Sequence, residues 1–377
     1  MAFWKPSLND LAKAGLHRLD VRFNSVRGAV KQRLGRLAPP RLMPYRGFGN
    51  QQTLHLLGRV LEDRRLGSPK AEDSWWVNLW TMYRRFAIYS FAGVRVRAEF
   101  QDQSLTTTTD EEGRFAFHWQ PAQPLDPHKL WHEVRLTVLD ELAKNHEPPK
   151  ATGAVLTPPE GCQFGVISDI DDTILYSNST DLVQTIKIAC MHNAHTRTPL
   201  PGVAELYRAL ERGSNGGPPN PFFYVSSSAW NLYDLLIDFL EMHDLPAGPL
   251  FLRNLGIDHH HPVKSGHKHK LDRIREIMLD YPQLPFLLIG DAGQDDPYLY
   301  RQAVHDFPGR VKAIYIRTVH NRAHDNKVHQ LADEVQQLGT EIVLVEDTHV
   351  AVQHAVRAGL INPDSASQMA PMDLAVR

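Results

Sequence analysis

Two hydrophobic rhythms divide this chain. Between residues 94 and 138 the period is two. Val94, Val96, Ala98 and Phe100 alternate with Arg95, Arg97 and Glu99, and Phe115, Phe117 and Trp119 alternate with Arg114, Ala116 and His118. Val134, Leu136 and Val138 repeat the pattern. Such alternation buries one face of a strand and leaves the other in water. The turn Asp110-Glu111-Glu112-Gly113 separates two of these runs, and an earlier strand is expected near 54–61. Trp76, Leu79, Tyr83 and Phe86 instead follow a helical stripe. Residues 45–150 are therefore expected to form a small antiparallel β-sandwich with one inserted helix, its tryptophans in the core.

From residue 163 the rhythm changes to unbroken apolar runs near 164–168, 222–225, 286–289, 311–316 and 342–345, separated by helical patterns. Strands buried on both faces and alternating with helices predict an α/β domain with a doubly wound parallel sheet over 162–362, followed by a tail at 363–377. Strand periodicity lapses around Pro158-Pro159, which suggests a linker at 151–161.

Residues 1–44 read as a leader. Leu8, Leu11, Leu16, Leu19, Phe23, Val26, Val30, Leu34 and Leu37 make an apolar helical stripe that ends at Pro39-Pro40. Ten Lys or Arg against Asp10 and Asp20 give residues 1–46 a charge of +8, so the remainder carries -10 within a net charge of -2. A basic amphipathic helix can lie on an anionic membrane, gaining about 1 kcal/mol per basic residue near the surface. It can equally dock on the folded body, and Gly15, Gly28 and Gly35 each weaken it in isolation by about 1 kcal/mol. Both readings stay open.

At 377 residues the chain exceeds what a single core usually supports, about 250 to 300 residues. Its near-neutral charge gives no general attraction to nucleic acid. No apolar run approaches the roughly 20 residues of a membrane span, which argues against a transport ATPase. The start lacks the pattern of a secretory signal, and Cys162 and Cys190 are too few for a disulfide framework. A cytoplasmic protein is expected, with the basic helix available for peripheral contact at the inner membrane face.

The candidate chemistry begins where the first unbroken strand ends, in Ser168-Asp169-Ile170-Asp171-Asp172-Thr173. Side chains two apart on an extended chain point the same way, so Asp169 and Asp171 face one centre. One can attack phosphorus as a nucleophile. The other, kept partly protonated by its neighbour, can protonate a leaving oxygen. An acidic turn alone would be unremarkable, because aspartate is common in turns. Three further pieces change that. A second strand ends in Ser226, whose hydroxyl can hold a phosphoryl oxygen. Lys270 opens a helical pattern where an ammonium can neutralise phosphate or the aspartates, although Lys264 and Lys268 lie in the same stretch. A third strand runs into Asp291 and Asp296, completing an oxygen-rich nest suited to Mg²⁺.

Other features are weaker. His259, His260, His261, His267 and His269 match no regular zinc spacing. Ser226-Ser227-Ser228 lacks a G-x-S-x-G elbow, and no G-x-x-x-x-G-K-[ST] loop points to ATP.

Taken in order, the four stretches resemble the haloacid dehalogenase superfamily. Ser168 through Ile174, Tyr224-Val225-Ser226-Ser227-Ser228, Trp230-Asn231-Leu232-Tyr233 and Ile289-Gly290-Asp291 through Pro297 are similar to the actin-patch-associated phosphatidate phosphatase family, in its bacterial form. The resemblance runs over roughly residues 160–360. Ala229 stands where that family would have proline, and Ala292 where it would have serine. The resemblance implies a haloacid-dehalogenase-like sheet with a small helical cap, for which 176–198 leaves room. It also implies a Mg²⁺-dependent hydrolysis of a phosphorylated lipid, phosphatidate, through an aspartyl phosphate. The expected metal ligands are Asp169, Asp171 by its carbonyl and Asp291, with Asp296 either a water-linked ligand or a support for Lys270, and with Thr173, Ser226 and Lys270 around the phosphate. Two alternatives remain: a phosphatase of a soluble phosphomonoester, and a catalytically silent binding protein.

Overall fold

The structure, a computed structural model, describes residues 39–63, 89–142, 147–170, 173–174, 200–253, 266–292, 295–318 and 322–367. The expected leader helix at 8–37, the inserted helix around Trp76 and the cap at 176–198 lie outside the described residues.

The described chain is mixed α/β, with two sheets. The first comprises β1 (Pro40–Pro44), β2 (Gly47–Gly49), β3 (Leu54–Glu62), β4 (Arg95–Phe100), β5 (Gln103–Thr108), β6 (Arg114–Trp119), β7 (Trp131–Val138) and β8 (Lys150–Leu156). Its order is β1-β3-β2-β8-β7-β4-β5, with β6 on β3, and only the β2/β8 pair is parallel. The alternating residues of β3, β4, β6 and β7 meet in one core, among them Leu56, Val96, Phe117 and Leu136. Fully burying each such large side chain contributes roughly 1.5 to 3 kcal/mol.

Residues 150–156, most of them expected to be linker, are instead strand β8, paired with β7 from Trp131↔Leu156 to Thr137↔Lys150. Gly153 lies in the middle of this strand. It is there because Leu56 lies across it, and a Cβ would sit 2.9 Å from Leu56 Cδ2. The sheet also starts at Pro40, inside the expected leader.

The second sheet comprises β9 (Gly165–Ser168), β10 (Phe222–Ala229), β11 (Leu250–Arg253), β12 (Phe286–Asp291), β13 (Val311–Arg317) and β14 (Glu341–Val345). It is parallel throughout, in the order β11-β10-β9-β12-β13-β14. Helices α1 (Val203–Arg212), α2 (Tyr233–Met242) and α6 (Thr348–Arg357) cover one face. The other is covered by α3 (Gly266–Asp280), α4 (Asp296–Asp306) and α5 (Arg322–Gln337), and α7 (Pro363–Ser367) follows. This double cover is why the strands read as continuous apolar runs. Strand order reverses between β9 and β12, and a crevice opens at the carboxyl ends at such a switch point. Among the described residues, no helix is long and apolar enough to cross a membrane.

The two sheets are fastened together through residues 45–50. Tyr45 stacks on Trp230 with ring centroids 4.7 Å apart, and the Arg46 amide donates to the Tyr233 hydroxyl at 2.6 Å. Phe48 meets Phe251 edge-on, the Gly49 amide donates to the Tyr281 hydroxyl, and Asn50 Nδ2 donates to the Asp280 carbonyl.

Asp280 itself is strained electrostatically. One of its carboxylate oxygens is buried without a hydrogen-bond partner. Burial, and then the charge of Glu276, push its pKa up to about 6. It also sits at a helix carboxyl end, where negative charge is unfavourable. A carboxyl whose folded pKa exceeds its unfolded value destabilises the fold when ionised, and the penalty is relieved as pH falls through the folded value. Asp280→Asn is therefore expected to raise the denaturant midpoint near neutral pH. The gain should vanish as pH drops from about 6 to about 4. Chemical denaturation at both ends of that window checks it, and a lower midpoint at neutral pH would contradict it.

Candidate active site

β9 delivers Asp169 to the crevice as a fully buried side chain, its amide donating to the Ile289 carbonyl at 2.9 Å. Ser168 secures this strand end: its hydroxyl donates to the Asp169 carbonyl at 2.6 Å and shares a 2.8 Å hydrogen bond with Tyr207. Thr173 lies in a single turn in which the Ile174 amide bonds the Ile170 carbonyl. Its hydroxyl is buried and has no hydrogen-bond partner among the described residues.

β12 ends in Asp291, and Asp296 opens α4. Both are fully buried. The positive end of a helix favours a carboxylate in its first turn. One Asp296 oxygen approaches the Asp291 amide at 3.4 Å, lying over Gly290. A Cβ on Gly290 would come within 2.5 Å of that oxygen and 2.8 Å of the Tyr300 ring, so the carboxylate can take this position only over a glycine.

Lys270 arrives from α3 with its side chain 4% exposed. Its Nζ lies 3.1 Å from Asp169 Oδ1 and 2.9 Å from Asp296 Oδ1. Burial works against its charge, but Asp169, Asp296 and then Asp291 outweigh it and hold the ammonium well above the usual lysine range. Carboxylate oxygens of Asp169, Asp291 and Asp296 lie within 4.8 Å of one another. Three buried carboxylates and one ammonium leave an excess of negative charge in a low-dielectric pocket. An all-oxygen donor set with that excess fits a hard divalent cation, so these three residues could hold a metal ion.

Ser226, buried in β10, accepts a hydrogen bond from the Ser228 amide at 2.9 Å. It follows Val225, the residue level with Asp169 in the β9/β10 register, at the same carboxyl edge of the sheet. The crevice thus gathers Asp169, Ser226, Lys270, Asp291 and Asp296, with Thr173 in the turn after β9. Asp171, Lys264 and His259–His261 lie outside the described residues, as do the side chains of His267 and Lys268. His269 is half-buried and forms no part of the carboxylate cluster.

Two supports were not read from the sequence. Tyr300 donates from its hydroxyl to the Ile289 carbonyl at 2.8 Å and underlies Gly290. Tyr207 braces Ser168. Tyr300 left a usable signal, since it follows Asp296 by four residues on one helix face.

Residues 164–318 match the family model described as "Phosphatidate phosphatase APP1, catalytic domain". This segment is similar to that catalytic domain. Over 168 residues the chain is 31% identical to the Saccharomyces cerevisiae protein named Phosphatidate phosphatase APP1, covering 44% of this chain and 28% of that one. It is 24% identical over 158 residues to an uncharacterized Schizosaccharomyces pombe protein, covering 41% of this chain and 25% of that one. The chain therefore spans about a quarter of the length of these curated relatives. Among solved structures, a carbohydrate acetylesterase from Xanthomonas citri aligns over 77% of this chain and 72% of its own, at 13% identity. Its TM-score of 0.25 carries no inference about fold or chemistry. Of the two departures from the family wording, Ala229 ends β10 and Ala292 is buried just after Asp291; neither removes a group from the crevice.

The charge excess makes two expectations. Lys270→Met should destabilise the protein by about 3 to 5 kcal/mol, because removing one partner strands buried charge. A divalent cation should raise the thermal midpoint of the wild type, by the equivalent of about 2.7 kcal/mol at a hundred times its Kd, and Asp291→Asn should shrink that shift. Melting curves with Mg²⁺ and with a chelator test both; identical curves for the wild type would remove the metal from the account.

Proposed function

We propose that the chain is a Mg²⁺-dependent phosphatidate phosphatase, cleaving phosphatidate to diacylglycerol and phosphate. The observation that carries this is Lys270 bridging two buried carboxylates at the switch point, inside the segment that matches a phosphatidate phosphatase catalytic domain. The same reading takes the second sheet as haloacid-dehalogenase-like with a helical cap, and the first as a β-sandwich-like domain. It places the protein in the cytoplasm, peripheral at the inner membrane face through its basic leader.

Asp169, Asp171 by its carbonyl, Asp291 and Asp296 would hold Mg²⁺, which when bound supplies positive charge against the phosphoryl oxygens. Lys270 holds Asp169 in place, so that one carboxylate oxygen is ready to attack. An Asp169 oxygen bonds to phosphorus while the bond from phosphorus to the glycerol oxygen breaks. Asp171 gives its proton to that departing oxygen. Water then attacks the aspartyl phosphate, Asp171 takes the water's proton, and the phosphorus bond to Asp169 breaks. The carboxylate is restored and inorganic phosphate is released. Thr173, with its buried unpartnered hydroxyl, and Ser226 donate to phosphoryl oxygens as charge develops.

Phosphate release from phosphatidate in mixed micelles, measured beside soluble phosphomonoesters, tests this directly. Wild type with Mg²⁺ is expected to act on phosphatidate and to stop when Mg²⁺ is chelated. Asp169→Asn should fall to background while the protein keeps a cooperative melting transition. Turnover of soluble esters alone would replace the substrate, and substantial activity in Asp169→Asn would refute the nucleophile.

A further inference from the structure

Beside the crevice, one more partly buried charged group has no partner among the described residues. Arg253 ends β11 in register with Ala229 at the end of β10. Its guanidinium makes no hydrogen bond or ion pair with the described residues, and its Nε is wholly buried. Burial alone acts on its charge, pulling its pKa down. Other partly buried arginines here are paired. Arg310 donates to the carbonyls of Tyr281 and Leu284, Arg114 meets Asp110 and Glu112, and Arg275 meets Asp306. A desolvated guanidinium with no counter-charge is costly, and its planar fork of donors matches phosphate and carboxylate oxygens.

A second polar atom lies in the same region. His269, the chain neighbour of Lys270 on α3, has a buried Nε2 with no hydrogen-bond partner among the described residues. Burial, and then the charges of Arg273 and Arg253, hold this imidazole down to about 4, so it is neutral at physiological pH. Asp272 pulls the other way without restoring the charge. The ends of β9, β10 and β11 carry Asp169, Ser226 and Arg253 in neighbouring positions. Successive strands are about 4.8 Å apart, so the Arg253 backbone stands about 10 Å across the sheet from β9 and beyond the level of Asp169, a gap that a long arginine side chain narrows.

We propose that Arg253, lined by His269, is an oxyanion-binding subsite that engages phosphate oxygens at the mouth of the crevice. This deepens the phosphatase reading and rests on it. The phosphate oxygens come from the substrate's own headgroup or from an adjacent anionic lipid, and the two sources separate experimentally.

The test uses the full chain with Mg²⁺ and compares wild type, Arg253→Gln and Arg253→Lys. Inorganic phosphate is titrated calorimetrically, and KM and kcat are measured on phosphatidate in nonionic micelles with and without phosphatidylglycerol. If the substrate headgroup is bound, Arg253→Gln weakens phosphate about tenfold, or about 1.4 kcal/mol, and Arg253→Lys recovers part of the loss. If a neighbouring headgroup is bound, phosphate affinity holds while KM rises only in the phosphatidylglycerol micelles. Thermal stability of Arg253→Gln should be unchanged or higher, because an uncompensated buried charge is gone. Unchanged phosphate affinity and unchanged KM in both micelles would overturn the subsite, as would lowered stability with no change in binding. Phosphate titration does not need turnover. A wild type inactive on phosphatidate whose phosphate affinity still depends on Arg253 would sink the substrate assignment and leave the subsite standing.

Discussion

The structure around the crevice is organised by one electrostatic constraint: three carboxylates are buried together and a single lysine ammonium lies among them. Isolated ions in a protein interior are strongly penalised, so this cluster survives only because the scaffold holds its members in fixed places. Asp169 is held by the end of a central strand and by Ser168. Asp296 is held by the start of α4 and by the absence of a side chain at Gly290. Lys270 is supplied by a helix packed through Ile274, Ile277 and Met278 onto the same face of the sheet. The remaining negative charge is what suits the pocket to a hard cation.

The first sheet bears on this site as well. Tyr45 and Arg59 reach Trp230 and Asn231, the residues that follow Ser226 and Ser228 into α2. Arg59 is itself tied to Ser90 and to the Glu112 carbonyl, so the contact is anchored in the body of the first sheet. The segment that presents the β10 serines is thus clamped from outside its own domain. The two sheets share buried contacts rather than meeting through a free linker, because β8 carries the first sheet to Leu156 and β9 begins only at Gly165.

Much of this was legible in the sequence where a single physical signal dominated. Five strands of the parallel sheet appeared as apolar runs because both their faces are covered. The Asp169, Ser226, Lys270, Asp291 and Asp296 positions appeared because each follows a strand or opens a helix, where the topology must bring them together. Lys270 was preferred for its place at the head of the helical stripe with Lys264 and Lys268 still open, and the structure sets its ammonium between Asp169 and Asp296. Other elements left little trace. β5 is a polar threonine-rich edge strand, β11 is only four residues long, and β8 contains a glycine whose reason is Leu56, distant in sequence. Tyr207 acts through a hydrogen bond to a strand end, and nothing in its local pattern distinguishes it from ordinary core. Arg253 stood out only once its surroundings proved to hold no carboxylate among the described residues.

The central claim is that Asp169 carries the phosphoryl group between two half-reactions. Wild-type protein turning over phosphatidate with Mg²⁺ can be quenched and treated with borohydride, which reduces an aspartyl phosphate to homoserine, and its peptides mapped by mass spectrometry. The account predicts homoserine at position 169 and nowhere else. Phosphoserine within 226–228, or homoserine at another aspartate, would contradict it.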